Sequence, residues 1–283
     1  MFGQFISDLM NYGFLQNALI TAIIVGVTCG VIGSFITLKG MSLMGDAISH
    51  AVLPGVAISY MLGINFFYGA VVSGLLTALG INYVDQKSRI KSDSAIGIVF
   101  SAFFALGVIL MGKAQSAIDL TSILFGNILT VSNSDRYITM AVGLLVILVV
   151  FLFYKELFIT TFDPTMARAY GLPVDKINYG IMILLTLVSV ASLQTVGVIL
   201  VVALLITPAS TAYLLTSSLT KMIGISALLG AISATVGLYF SFSYNLPSGA
   251  VIVIVAAVMF VMALLFSPKQ GLVWQKLNYN NNN

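Results

Sequence analysis

The run from Phe14 to Leu38, FLQNALITAIIVGVTCGVIGSFITL, contains no acidic or basic side chain. About 20 apolar residues carry a helix across a bilayer, so this run suffices for one crossing. Its length, and the recurrence of similar runs soon after it, argue against a cleaved signal peptide. Comparable runs follow at Asp46 to Leu62, Phe66 to Val84, Ala95 to Met111, Ile138 to Tyr154, Ile177 to Leu193, Val196 to Leu215, Ile223 to Phe242 and Ala250 to Phe266. The expected fold is all-α, a polytopic transmembrane bundle of about eight to nine helices forming a single domain over residues 1–283, with a disordered tail at about 278–283. Composition agrees: 59% of residues are hydrophobic, 7% are charged and mean hydropathy is +1.08, against roughly 25% charged residues in soluble domains.

Charge orients the bundle. With nine crossings, Lys39, Lys87, Arg89, Lys91, Lys155, Arg168, Lys176, Lys221, Lys269 and Lys276 fall on one side, and only Lys113 and Arg136 on the other. That positive-inside bias makes the first side cytoplasmic. The net charge of +3 thus reflects topology and contact with anionic lipid, and no basic cluster suggests nucleic acid. Cys29 is the single cysteine, so no internal disulfide forms, and a small buried apolar role is expected for it.

Two ionisable groups sit inside a crossing. Asp46 and His50, the only histidine, lie in Gly45-Asp46-Ala47-Ile48-Ser49-His50-Ala51-Val52-Leu53-Pro54-Gly55. An Asp at the centre of a membrane helix costs about 2.5 to 3.5 kcal/mol on insertion scales, so such groups usually face a cavity, a partner or an ion. Four residues apart on a helix, the two side chains share one face and can grip one cation. Pro54 has no N–H, so in a continuous helix the His50 carbonyl loses its partner and lies free beside the imidazole. Freed backbone of this kind often builds ion sites in membranes; a packing kink is the plain alternative. If the helix begins near Leu43, His50 lies about 10 Å inside. The pair is then either below the bilayer centre, or on a segment drawn inward as a buried, partly re-entrant element.

Other breaks are informative. The uncharged stretch between Lys176 and Lys221 holds two crossings with a tight turn near Gln194 to Leu200, and its small and hydroxylated residues suit close helix contacts, as does the Gly26/Gly30 spacing. On the cytoplasmic side, Thr161 to Pro173 spells a helix of about two turns: Asp163 as N-cap, Pro164 in the first turn, Gly171 as stop and Pro173 blocking continuation. So short a helix is marginal alone in water, which suggests a docking surface or a simple loop helix. The segment from Ser116 to Asp135 is too polar at its ends for an ordinary crossing and suits a short helix near the outer interface, with Asp119 and Asp135 as solvated loop charges.

Taken together, Gly45 to Gly55, Leu124 to Leu129 with Asp135, Phe162 to Leu172 and Thr195 to Ala212, in that order, resemble the permease subunit of ABC importers for manganese, zinc or iron(II), nearest to the streptococcal Psa-type manganese permeases. The resemblance implies a single permease domain in a bacterial plasma membrane, working as a homodimer with two cytoplasmic ATPase subunits and an extracellular metal-binding lipoprotein. It implies no catalytic residue and no bound cofactor in this chain; the transported Mn(II) is the substrate, and ATP is used by the partner. Consistently, no GxxxxGK[ST] phosphate loop occurs. The metal residues would be Asp46 and His50. The ATPase-coupling helix would comprise Phe162, Asp163, Pro164, Thr165, Met166, Ala167, Arg168, Ala169, Tyr170, Gly171 and Leu172. Zinc or iron(II) import is the alternative within the family, since Asp and His bind all three ions. An ion-coupled secondary transporter is a different class, but it usually shows paired internal repeats, and none is evident.

Overall fold

A computed structural model of the chain describes residues 2–113, 126 and 128–267, and all regular structure among them is helical. The helices are α1 (Phe2–Asn11), α2 (Gly13–Leu38), α3 (Leu43–Ala51), α4 (Leu53–Leu62), α5 (Phe66–Lys87), α6 (Ser92–Lys113), α7 (Asn133–Leu152), α8 (Tyr154–Phe162), α9 (Pro164–Ala169), α10 (Val174–Val196), α11 (Val198–Leu215), α12 (Leu219–Tyr244) and α13 (Ser248–Phe266), with a 3₁₀ turn at Ile128–Thr130. Eight are long and apolar enough to cross a membrane: α2, α5, α6, α7, α10, α11, α12 and α13. The Asp46 to Leu62 run supplies α3 and α4, separated at Val52. The Leu124 to Leu129 run and Asp119 lie largely or wholly outside the described residues, as do Lys269, Lys276 and the tail.

Helix α2 is the hub, buried along most of its length and packed against α12, α11, α7 and α10. In hydrocarbon, helices associate through close packing and hydrogen bonds rather than through hydrophobic exclusion, so small residues mark the contacts. The Gly26/Gly30 spacing of α2 meets a matching Ser226/Gly230 spacing on α12. A Cβ at Gly30 would lie 2.6 Å from the Ser226 carbonyl, and Ser226 Oγ donates to the Gly30 carbonyl at 2.8 Å. Several other buried hydroxyls are satisfied within their own helix, as in Ser34 to Gly30 and Thr186 to Met182. Cys29 is fully buried on the same helix. The predicted tight turn between two crossings is the single residue Gly197, between α10 and α11.

The two ends of the bundle are distinct. At one end Lys39 Nζ donates to Asn178 Oδ1, and a cavity of about 680 Å³ gathers Lys39, Lys87 and Arg168; the positive-inside rule makes this the cytoplasmic end. At the other, Asn17 links α2 to α7 through Asn133 and Arg136. There α1 lies across the end of α12, with Phe5 edge-on to Tyr239 at 5.2 Å.

Candidate functional site

Helix α3 owes its position to packing. Met44, Ala47, Ile48 and Ala51 are buried, and the side chain of Leu205 on α11 lies 2.8 Å from where a Cβ at Gly45 would sit. Only the face carrying Leu43, Asp46 and His50 is left open. There His50 Nε2 lies 3.5 Å from Asp46 Oδ1, with side chains 24% and 46% exposed. Ligand bonds of about 2.1 Å to each atom can therefore meet at one metal ion. Among the described residues no cluster of three or more His, Cys, Asp or Glu side chains forms, so the described part of a single chain offers this pair and not a closed cage.

The break at Pro54 is present, but its expected consequence is not. The His50 carbonyl takes the N–H of Val52, and the carbonyl of Ala51 accepts from Ser73 Oγ at 2.8 Å. The chain repairs the gap with a local turn and a hydroxyl from α5, so the freed His50 carbonyl foreseen as a further ligand is already engaged.

Other contacts of the pair place it against α5 and α6. The His50 ring lies 5.9 Å from both Phe100 and Phe104, in the middle of α6, and Ser73 lies nearer the outer end of α5 than its cytoplasmic end. His50 is therefore level with the middle of α6. Helix α3 follows the half-buried Lys39 after Gly40 to Ser42 and opens on the exposed Leu43. Sequence reasoning missed Phe100 and Phe104; their i, i+4 spacing on α6 was the available signal.

The cytoplasmic helix is built as its sequence spells it, though shorter. Helix α9 is capped by Asp163, whose Oδ1 accepts from Met166 N–H at 2.8 Å, with Pro164 in the first turn. It ends in a Schellman closure, Leu172 N–H to Ala167 carbonyl and Gly171 N–H to Arg168 carbonyl. Gly171 sits at φ +78°, where a side chain would be strained. Pro173 then caps α10. Phe162 belongs to the end of α8, and Tyr170, Gly171 and Leu172 form the turn, so the Phe162 to Leu172 element is a helix end, a six-residue helix and its closure. Phe162, Met166 and Tyr170 are exposed, whereas Ala167 is buried. Asp135 lies away from this element, paired with Ser132 at the start of α7.

A family model for the ABC 3 transport family matches residues 11–267. The chain belongs to the ABC 3 transport family. This member of the family is 62% identical over 272 residues to the "Manganese transport system membrane protein MntC" of Listeria innocua, a match covering 96% of this chain and 97% of that one. It is 53% identical over 277 residues to the "Manganese import system permease protein ScaB" of Streptococcus gordonii, covering 98% and 100%. Its structure is similar to "PsaBC from Streptococcus pneumoniae in complex with Fab", with a TM-score of 0.88 at 53% identity, covering 98% of this chain and 100% of that one. Like other members of the family, the chain is a multi-pass membrane protein of a transport system.

Proposed function

We propose that this chain is the permease of an ATP-driven importer that carries Mn(II) into the cell. It works as a homodimer with two cytoplasmic ATPase subunits, and an extracellular metal-binding lipoprotein delivers the ion. The carrying observation is the Asp46–His50 pair, level with the middle of α6, in a chain that matches manganese permeases over nearly its whole length. The pair faces outward from its own bundle, so a second copy can close it, giving two carboxylates and two imidazoles. Such an oxygen and nitrogen set suits a divalent first-row ion and disfavours Cu(I). Neutral His50 would bind through Nε2, the atom facing Asp46, while Phe100 and Phe104 wall the imidazole on its other side.

Carboxylate and water ligands suit Mn(II), imidazole suits Zn(II), and affinity alone favours zinc. Discrimination is therefore geometric: a site wide enough for added water holds Mn(II) loosely and releases it, whereas a tight tetrahedral site retains Zn(II). The Phe162 to Leu172 element, with its exposed Phe162, Met166 and Tyr170, is the coupling element that docks on the ATPase. The deciding measurement is ATP-dependent uptake of Mn(II) and Zn(II) by vesicles holding permease, ATPase and lipoprotein. Mn(II) uptake with Zn(II) acting as a competitor is expected; faster Zn(II) turnover at matched lipoprotein occupancy would replace manganese by zinc as the cargo.

A further inference from the structure

We propose that Lys39 and Asn178 form a strap through which helix α9 acts on the metal helix α3, an inference that rests on the roles just assigned to both helices. Lys39 Nζ donates to Asn178 Oδ1 at 2.7 Å across 139 residues of sequence. Asn178 lies in the second turn of α10, whose first turn is joined to α9 by the pair Arg168 Nη2 and Asp175 Oδ1 at 3.2 Å. Only Tyr170 to Pro173 separate the two helices, and the Schellman closure stiffens that link. Helix α9 and the start of α10 therefore move together.

On the other side of the bond, Lys39 terminates α2, with its N–H on the Phe35 carbonyl at 3.0 Å, and Met41 N–H returns to the Ile36 carbonyl at 3.0 Å. Helix α3 begins at Leu43, and Asp46 is in its first turn. A connection as short and bonded as Gly40 to Ser42 passes a displacement of Lys39 on to Asp46. Among the described residues Lys39 makes no ion pair, and burial pushes its pKa below the usual lysine value. The Asn178 side-chain amide oxygen is thus the hydrogen-bond acceptor for a half-buried cation, and hydrogen bonds to charged groups outweigh neutral ones. The 680 Å³ cavity lined by Lys39, Asn178, Asn82, Asp85, Arg168 and Asp175 leaves room for the cytoplasmic ends to shift without steric conflict.

The test uses the assembled permease–ATPase complex with its lipoprotein in vesicles, supplied with Mn(II). Lys39→Met and Asn178→Leu should each lower the Mn(II) imported per ATP hydrolysed by about tenfold or more, the loss expected when a hydrogen bond to a charged group goes. Equilibrium Mn(II) binding and co-purification with the ATPase should stay at the level of the unaltered complex. The double variant should be no worse than either single one, because both remove the same bond, and Lys39→Arg should restore most of the coupling. Unchanged Mn(II) per ATP in both singles, losses that multiply in the double variant, or loss of Mn(II) binding alongside transport would each overturn the strap. Ala167→Pro in the same vesicles separates the two levels. If it leaves ATP-driven uptake intact, the role of α9 fails; if it uncouples while Lys39→Met and Asn178→Leu do not, the strap alone fails.

Discussion

Helices α3 and α9 are both short, yet they are held by opposite means. Helix α3 is held by its neighbours: most of its residues are buried against α5, α6, α10 and α11, and its polar pair faces the one open side. Helix α9 is held by its own ends, with Asp163, Pro164 and Gly171 supplying its caps and Ala167 its one buried residue. The contrast follows from solvent. Within hydrocarbon a helix is stable but its placement depends on packing, whereas at the aqueous surface six residues do not persist without caps. The helix proposed to place ligands is therefore fixed in three dimensions, and the helix proposed to meet a partner is fixed in sequence while presenting an exposed surface.

The largest effects should come from the open face of α3. Asp46→Ala and His50→Ala are each expected to reduce ATP-dependent Mn(II) uptake to background while complex assembly, followed by size-exclusion chromatography, is preserved. Asp46→Asn should fail equally, because the amide keeps the shape and loses the anionic ligand. Normal uptake by both alanine variants at limiting Mn(II) would break the assignment. Next comes Ala167→Pro, which puts a proline inside α9 at a cost of about 3 kcal/mol or more. ATP-driven uptake should be lost with Mn(II) binding intact, and unchanged ATPase association together with unchanged uptake would remove α9 from the coupling path.

Smaller changes sharpen the contrast between packing and caps. A Cβ at Gly55 would run into the Gly69 carbonyl, so Gly55→Ala should force α4 and α5 apart and cost about 1–3 kcal/mol, seen as a lower thermal midpoint in detergent. Gly13→Ala, with open space around it, should leave that midpoint in place; equal shifts for the two would argue against a packing-held crossing. The smallest effect is expected from Asp163→Ala, which removes a cap worth about 1 kcal/mol. A few-fold fall in Mn(II) imported per ATP, with the thermal midpoint of the bundle unmoved, would mark α9 as locally held. A loss as deep as that of Ala167→Pro would show instead that the Asp163 carboxylate itself contacts the partner.

Much of this was legible in particular residues. The apolar runs predicted the crossings, Asp163, Pro164, Gly171 and Pro173 predicted the bounds of α9, and Asp46 with His50 stood out as ionisable groups in an apolar run. Pro54 predicted a break, but not that Val52 and Ser73 would take up the backbone groups around it, because that repair needs a hydroxyl brought from α5. Lys39 read only as a topological marker; its bond to Asn178 depends on two helix ends meeting across the bundle.

By itself the sequence determined that this chain crosses a membrane as helices, since hydrocarbon leaves backbone polar groups no partner but their own helix. It also determined which end faces the cytoplasm, through the distribution of lysine and arginine. The tertiary structure alone decided that His50 packs against Phe100 and Phe104 at the middle of α6, and that Lys39 holds Asn178. These are meetings of residues far apart in the chain, and they follow from how closely small residues let helices approach, a property of pairs of surfaces that no single segment encodes.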